Sequence, residues 1–358
     1  MLLFHLPAWV SLLLAPLRPD EPLRPLDIYG TEETAFFSRH RVREIVVLKQ
    51  GYYKGKLSGP LQTLAAQQLD RQGRVIKQWK YPNQGRFSAL EESTYDAAGH
   101  LTDFTNYDNA SPDTDTSRLG TSWQPQSRIH YPLKPGQTGY SERWDPQAKR
   151  WQRTEATRRW SSHDTTYVQT TRLPDTMGGF LLRTYPASGG RTRSDYLLTG
   201  KWFMNDMLTE PQYTYTRQEN GREVEFGWIH FEDDLRAYLA QNPQVAKPAE
   251  GTEAYSRLLD QVARRAAGRA ETLGTNSYDA QGRLLKEAAK YFFTTYQRND
   301  QGRLQTTAYY IQNQLSIPPA QQSHTVLSYL PNGLLARQEI MEEINGLADI
   351  RYYLYRYY

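Results

Sequence analysis

A seven-residue pattern recurs along the chain and constrains its fold more than any other feature. In this pattern an apolar or aromatic residue is followed by Asp, two variable residues, Gly, a polar residue and an aliphatic residue. Clear copies start at Leu69, Tyr95 and Tyr278, and weaker copies start at Tyr81, Arg298 and Tyr329. Recurrence of this kind indicates an array of similar structural units.

The spacing within the pattern predicts the tip of a β-hairpin. Asp can accept hydrogen bonds from backbone N–H groups of the residues that follow it in the turn. Gly, three residues after the Asp, can adopt the positive φ that closes the turn. We therefore predict turn roles for Asp70, Gly73, Gly85, Asp96, Gly99, Asp279, Gly282, Gly302 and Gly333. Positive φ angles at Gly73, Gly99, Gly282 and Gly302 are the direct test.

The segments around the tips favour strands, because they are rich in Tyr, Thr, Val and Phe, as in residues 165–172 (TTYVQTTR) and 290–296 (KYFFTTY). The sequence thus predicts a mainly β fold, an antiparallel meander of β-hairpins that forms a curved repeat sheet. The residues leave open whether this sheet closes on itself.

A helical hairpin is predicted to interrupt the sheet over residues 231–274, which divides the β region into residues 18–230 and 275–358. Leu235 and Leu239 follow Phe231 at helical spacing, behind the acidic residues 232–234. A second helix has Tyr255 and Val262 on its apolar face, and Gly274 is its predicted C-terminal cap.

Composition and charge exclude several function classes. Lys+Arg at 43 against Asp+Glu at 39 gives a net charge of only +4, so no nucleic-acid partner is expected. With no cysteine and no paired histidine spacing, we predict neither a cofactor nor a metal site. Asp108, Asp113 and Asp115 could ligate Ca²⁺, but a polar surface loop is the favoured interpretation.

The N-terminal residues resemble a signal peptide. Residues 2–14 are largely apolar, a length suited to a signal-peptide core and too short for a membrane span. We predict a signal peptide over residues 1–17 and export to the periplasm or the cell exterior, without a membrane-spanning segment. A buried N-terminal segment is the alternative.

Residues 278–284 (YDAQGRL) resemble the YD repeat of the RHS family, as do residues 95–101. This resemblance covers about half of the chain and implies an exported bacterial protein whose repeats build curved β-sheets, either enclosing a toxin or making surface contacts. Residues 52–59 (YYKGKLSG) resemble a MORN or YwqK-type repeat, which implies instead an intracellular antitoxin or immunity protein.

The candidate ligand-binding residues are Trp144, Trp151, Arg159 and Trp160, which crowd into a stretch where the turn pattern is weakest. The competing interpretation is that these side chains cover the core of the sheet. No catalytic residue is predicted, because the acidic residues are explained by turns and by a helix N-terminus.

The sequence therefore predicts an exported, non-enzymatic β-repeat protein that binds a protein or a glycan through a Tyr, Arg and Trp-rich sheet surface. A hydrolase acting on a polysaccharide or cell-wall polymer is the alternative from another class. An outer-membrane barrel is disfavoured, because Lys286 and Lys290 fall on one face of a predicted strand and Glu287 on the other.

Overall fold

A computed structural model describes residues 33–54, 56–80, 89–109, 123–131, 137–173, 179–199, 211–250, 252–311, 320–343 and 346–358. The predicted signal segment 1–17, Gly85, Asp113 and Asp115 lie outside these residues.

The described part of the chain contains twenty β-strands. Their bounds are β1 Val42–Tyr53, β2 Lys56–Leu69, β3 Val75–Lys80, β4 Ala89–Tyr95, β5 Leu101–Asn109, β6 Trp123–His130, β7 Thr138–Asp145, β8 Arg150–Ser162, β9 Thr165–Arg172, β10 Gly179–Ala187, β11 Arg191–Thr199, β12 Gln212–Glu219, β13 Arg222–His230, β14 Arg269–Tyr278, β15 Leu284–Ala289, β16 Phe292–Arg298, β17 Leu304–Ile311, β18 Ala320–Tyr329, β19 Leu335–Glu342 and β20 Gly346–Tyr357. Three α-helices accompany them: α1 Glu33–Arg39, α2 Glu232–Gln241 and α3 Glu253–Ala263.

The sheet is an antiparallel meander that closes on itself. Each strand pairs with its neighbours in sequence, and β1 also pairs with β20, so that Ile45 lies opposite Tyr355 and Val47 opposite Tyr353. The prediction of a mainly β, antiparallel fold is confirmed. The closure, which the sequence left open, makes the sheet a barrel.

The glycine positions of the recurring pattern lie at hairpin tips, as predicted. Positive φ angles occur at Gly73 (79°), Gly99 (94°), Gly282 (79°), Gly302 (77°) and Gly333 (88°). These tips join β2 to β3, β4 to β5, β14 to β15, β16 to β17 and β18 to β19. Because every second connection of a meander lies at the same end, all five tips occupy one end of the barrel.

An Asp or Asn side chain organises four of these five turns, and Leu330 takes its position in the fifth. In the first tip, Asp70 Oδ1 accepts hydrogen bonds from the backbone N–H groups of Gln72 and Arg74 at 2.9 and 3.0 Å. Arg74 Nε also donates to Asp70 Oδ2, at 2.6 Å. The polar position of the pattern is therefore explained by a side chain that returns to the turn carboxylate.

The aromatic position connects one tip to the next. The hydroxyl of Tyr95 donates to the carbonyl oxygen of Val75 at 3.0 Å, and that of Tyr329 donates to Leu304 O at 2.5 Å. The guanidinium of Arg74 also lies 4.7 Å from the centre of the Tyr95 ring. A hydrogen bond and a cation–π contact thus connect neighbouring tips and stabilise the packing of one hairpin against the next.

Acid is expected to destabilise these turns. The backbone N–H of Arg283, helped by its side chain, lowers the pKa of Asp279, and the backbone N–H of His100 lowers that of Asp96. A carboxylate whose pKa is lower in the folded than in the unfolded protein stabilises the fold. This stability is fully present above the unfolded-state pKa of about 4, and it is lost as the pH falls through the folded-state pKa.

Asp279→Asn should therefore flatten the pH dependence of unfolding below about pH 4. Asn299 holds the equivalent turn, accepting from the N–H groups of Gln301 and Arg303 at 3.1 and 3.0 Å, so the amide preserves the geometry. Urea unfolding between about pH 3 and 7 measures the effect. If the variant loses as much unfolding free energy at acid pH as the unmodified protein does, Asp279 does not have this role.

The two helices of the insertion form as predicted, with one correction. In α2 the first turn is acidic, and in α3 the hydroxyl of Thr252 accepts from the N–H of Tyr255 at 3.2 Å. Gly274 is not the C-terminal cap of α3, because the helix ends at Ala263 and Gly274 lies inside β14. Between α3 and β14 the positive φ belongs to Gly268, at 69°.

Two separate apolar clusters stabilise the fold in the part of the chain described. The first packs Phe37 of α1 against Leu69, Leu334 and Leu335 at the tip end of the barrel. The second packs α2 and α3 on strands β11 and β12, where Leu197 and Tyr213 are buried. We call the sheet face covered by α2 and α3 the helix-bearing face.

Candidate functional site

Three of the four predicted ligand-binding residues come together on strands β7 and β8. Trp144 lies opposite Trp151, with ring centres 5.4 Å apart at 70°. Trp160 lies opposite Tyr167 of β9, and their rings stack at 5.2 Å and 5°. Together with Tyr140 these side chains form what we call the tryptophan face: Tyr140, Trp144, Trp151, Trp160 and Tyr167.

A β-bulge places these residues on one side of the sheet. Trp151 and Trp160 are nine residues apart, and in a regular strand an odd separation places two side chains on opposite faces. The register shifts opposite Ser141 and Glu142, so one residue of β8 is passed over and both tryptophans share a face. The amino-acid pattern carries no signal for this bulge.

Arg159 is on the other side of the sheet. It lies opposite Val168, whereas Arg158 lies opposite Gln169 and its guanidinium is 5.7 Å from the Trp160 ring centre. Neighbouring residues of a regular strand point to opposite faces, so Arg158 accompanies the tryptophans and Arg159 does not. The structure therefore brings the three predicted tryptophans together on one face and places Arg159 on the other.

Further arginines stack on the tryptophan face. The guanidinium of Arg128 lies 4.5 Å from the Trp151 ring centre, and that of Arg153 lies 4.1 Å from the Tyr140 ring centre. All three tryptophans are half-buried, and neither apolar cluster includes them. The surface thus combines rigid rings with planar cations and remains partly open to solvent.

An acidic and histidine group adjoins the tryptophan face. His130 Nδ1 pairs with Asp103, and its Nε2 lies 3.4 Å from Glu142 Oε2. Glu142 is buried and also pairs with Arg128, the arginine stacked on Trp151. This group has no sequence signature, because its members come from β5, β6 and β7 and only strand pairing brings them together.

The helix-bearing face continues from the tryptophan face, since Tyr167 lies opposite Arg183. Arg183 Nη2 donates to Asp195 Oδ2 at 2.5 Å and to Asp260 Oδ1 of α3 at 2.7 Å, and Arg193 Nε donates to Asp195 Oδ1 at 2.6 Å. We call Arg183, Arg193, Asp195 and Asp260 the buried ion cluster. Its placement between sheet and helix identifies it as an anchor of the helical hairpin.

Tyr185 extends this cluster. Its hydroxyl donates to Asp195 Oδ2 at 3.0 Å. Burial, together with the negative charge of Asp195, raises the pKa of Tyr185 to about 12, so its phenol stays protonated and remains a donor at neutral pH.

The remaining candidate positions have structural explanations. His163 and Asp164 form the turn between β8 and β9, where His163 has a φ of 54°. Asp70, Asp96 and Asp279 are turn residues that bind backbone N–H groups. Among the residues that the structure describes, no group of three or more His, Cys, Asp or Glu side chains could hold a metal ion.

No protein-family model matches the chain, and no curated protein matches it in sequence. Among solved structures it is similar to a porin-like protein from Bacteroides vulgatus, at 11% identity over 88% of this chain and 98% of that chain, with a TM-score of 0.22. A porin-like protein from Bacteroides uniformis gives 9% identity over 88% and 98%, with a TM-score of 0.24.

A third similarity is to the TcdB2-TccC3-Cdc42 structure, at 9% identity over 78% of this chain and 15% of that chain, with a TM-score of 0.21. At TM-scores this low, none of these similarities carries an argument about function. Within the described ranges, no helix has the length and apolarity needed to cross a membrane.

Proposed function

We propose that this chain is an exported, non-enzymatic β-repeat protein of the YD type whose tryptophan face binds a protein or glycan ligand. The observation that carries the proposal is the alignment of Trp144, Trp151 and Trp160 on one half-buried face, with arginines stacked on two of the rings. Trp, Tyr and Arg are the residue types that dominate binding energy at interfaces.

The regular hydrogen bonds between tips support the repeat assignment. Four of the five tips present the same Asp or Asn contact to backbone N–H groups, and Tyr95 and Tyr329 make equivalent bonds to the preceding tip. These tips join strands within β2 to β5 and within β14 to β19, so they fix the barrel on either side of the tryptophan face, which lies on β7 to β9.

Trp151→Ala is expected to weaken ligand binding by at least about tenfold while the melting temperature changes little. Its indole is half-buried and contacts Trp144 and Arg128. Binding is measured on an array of purified polysaccharides and, in a parallel arm, by cross-linking to proteins of the cell surface.

Arg159→Ala is the matched control, since Arg159 is on the same strand and on the opposite face. It should bind like the unmodified protein. If Trp151→Ala instead destabilises the fold by about 3 to 5 kcal/mol, as truncation of a core tryptophan does, the side chain is a core residue and the proposal fails.

A hydrolase acting on a polysaccharide is the second candidate, supported by the group formed by Asp103, His130 and Glu142. A carboxylate on each side of an imidazole could hold and transfer a proton beside the tryptophan face. Hydrolysis that disappears in Glu142→Gln, with folding intact, would establish this alternative over simple binding.

The third candidate, an intracellular YwqK-like immunity protein, differs from the first in its location. Sequencing the N-terminus of protein recovered from its native host distinguishes them. A mature chain that begins after residue 17 supports export, and an intact Met1 in a cytoplasmic fraction supports the immunity protein.

A further inference from the structure

A shallow groove of about 340 Å³ lies across strands β16, β17 and β18, away from the tryptophan face. Strand register sets its floor, because Thr295 lies opposite Ala308 and Ala308 lies opposite His324. The short side chains of Thr295, Thr306 and Ala308 leave a depression between longer neighbours. The groove is lined by Thr295, Gln297, Thr306, Ala308, Tyr310, Gln321 and His324.

One wall of the groove is a chain of hydrogen-bonded side chains. The hydroxyl of Tyr310 donates to Gln321 Oε1 at 3.2 Å, and Gln321 Nε2 lies 2.9 Å from His324 Nδ1. With Gln321 Nε2 as donor, His324 is the tautomer that carries its proton on Nε2. The amide and imidazole are therefore held in fixed orientations before any ligand arrives.

The aromatic part of this wall is also fixed. The Tyr310 ring stacks on Phe293, with ring centres 4.6 Å apart at 14°. The ammonium of Lys286 lies 4.1 Å from the centre of the Phe293 ring, so it contacts Phe293 and not Tyr310. Tyr310 is thus a supported ring rather than a mobile one.

The lining residues carry no acidic or basic side chain other than the imidazole of His324, in a chain of which 23% is charged. Their polar groups are hydroxyls and amides, which both donate and accept hydrogen bonds. The cation beside the groove, Lys286, lies opposite Thr295, and its ammonium is held over the Phe293 ring. The hydroxyl and amide lining itself matches a ligand that presents many uncharged hydroxyl groups.

We propose that this groove is a second binding site, specific for a neutral saccharide unit. Gln297, which is exposed at the groove, and His324 would supply hydrogen bonds to sugar hydroxyls beside the Tyr310 ring. This site is independent of the tryptophan face and does not require that face to bind anything.

The test uses isothermal titration of the full chain with linear hexamers of glucose, mannose and N-acetylglucosamine, and with hexagalacturonate as the charged counterpart. We expect at least one neutral hexamer to bind and hexagalacturonate to bind more weakly. The double variant Gln297→Ala/His324→Ala should weaken that binding at least about tenfold, because two hydrogen-bonding partners are removed.

Thr307→Ala is the control, because Thr307 lies between Thr306 and Ala308 in the regularly paired part of β17, so it points to the opposite face. It should bind like the unmodified protein. The absence of any neutral-hexamer binding overturns the inference, as does tighter binding of hexagalacturonate. Binding that survives the double variant and is lost in Trp151→Ala also overturns it, while leaving the function proposed for the tryptophan face intact.

Discussion

Asp195→Ala is expected to destabilise the protein by about 3 to 5 kcal/mol, the usual consequence of removing one partner from a buried ion pair. Asp195 is fully buried at 0% exposure and pairs with both Arg183 and Arg193. Removing its carboxylate leaves Arg193 without its acidic partner and Arg183 with Asp260 alone. Urea unfolding at neutral pH measures the loss.

Asp233→Ala provides the comparison, because Asp233 pairs with Arg236 at 3.7 Å on the exposed surface of α2. Exposed pairs of this kind contribute about 0 to 1 kcal/mol. If Asp195→Ala proves as mild as Asp233→Ala, the buried ion cluster does not anchor the helical hairpin. Loss of α2 and α3 protection from hydrogen exchange in Asp195→Ala alone would support the anchoring role.

The second large effect is expected at the first hairpin tip, where Gly73→Ala should lower the free energy of unfolding by about 3 kcal/mol. Part of this is the strain of about 1 to 2 kcal/mol for a side chain at positive φ. The rest comes from α1, because an added Cβ would collide with the carbonyl oxygen of Thr34 and lie 2.8 Å from the nitrogen of Ser38. Backbone atoms of a packed helix cannot move aside as a flexible side chain can.

Gly99→Ala separates these two contributions. Gly99 occupies the same turn position with a φ of 94°, but its added Cβ meets only a side-chain nitrogen of Arg74, at 3.4 Å. It should therefore show the strain alone, about 1 to 2 kcal/mol. Equal losses in the two variants, measured by urea unfolding, would mean that α1 does not pack on the first tip.

The hairpin tips could be predicted from the sequence because their chemistry is local. Asp70 and Gly73 act on backbone groups within the same turn, so residue type and spacing contain the needed information. The helical hairpin was predictable for a similar reason, since Leu235 and Tyr255 belong to apolar faces of regular period. Its end was misplaced because Gly274 serves a strand contact, where an added Cβ would lie 2.5 Å from the Phe226 ring, and residue type alone does not distinguish this from a cap.

The candidate site was predicted only in part, because it depends on non-local register. The bulge in β8 decides that Trp151 and Trp160 share a face and that Arg159 does not. A usable signal did exist for the buried ion cluster. Arg183 lies two residues after Leu181, and Asp195 lies two residues before Leu197, so each charge shares a sheet face with an apolar residue of its strand, which points to a buried partner.

The seam between β1 and β20 has a consequence for how the chain assembles. Ile45 and Tyr355 come from nearly opposite ends of the described chain, yet doubling the length of a loop adds only about 0.6 kcal/mol to the entropy lost on closing it. Closing the seam therefore adds little to the free energy of folding, but the seam forms slowly because its contacts are the most distant in sequence. Until it closes, the molecule has two unpaired strand edges, and each is a template on which another chain could aggregate.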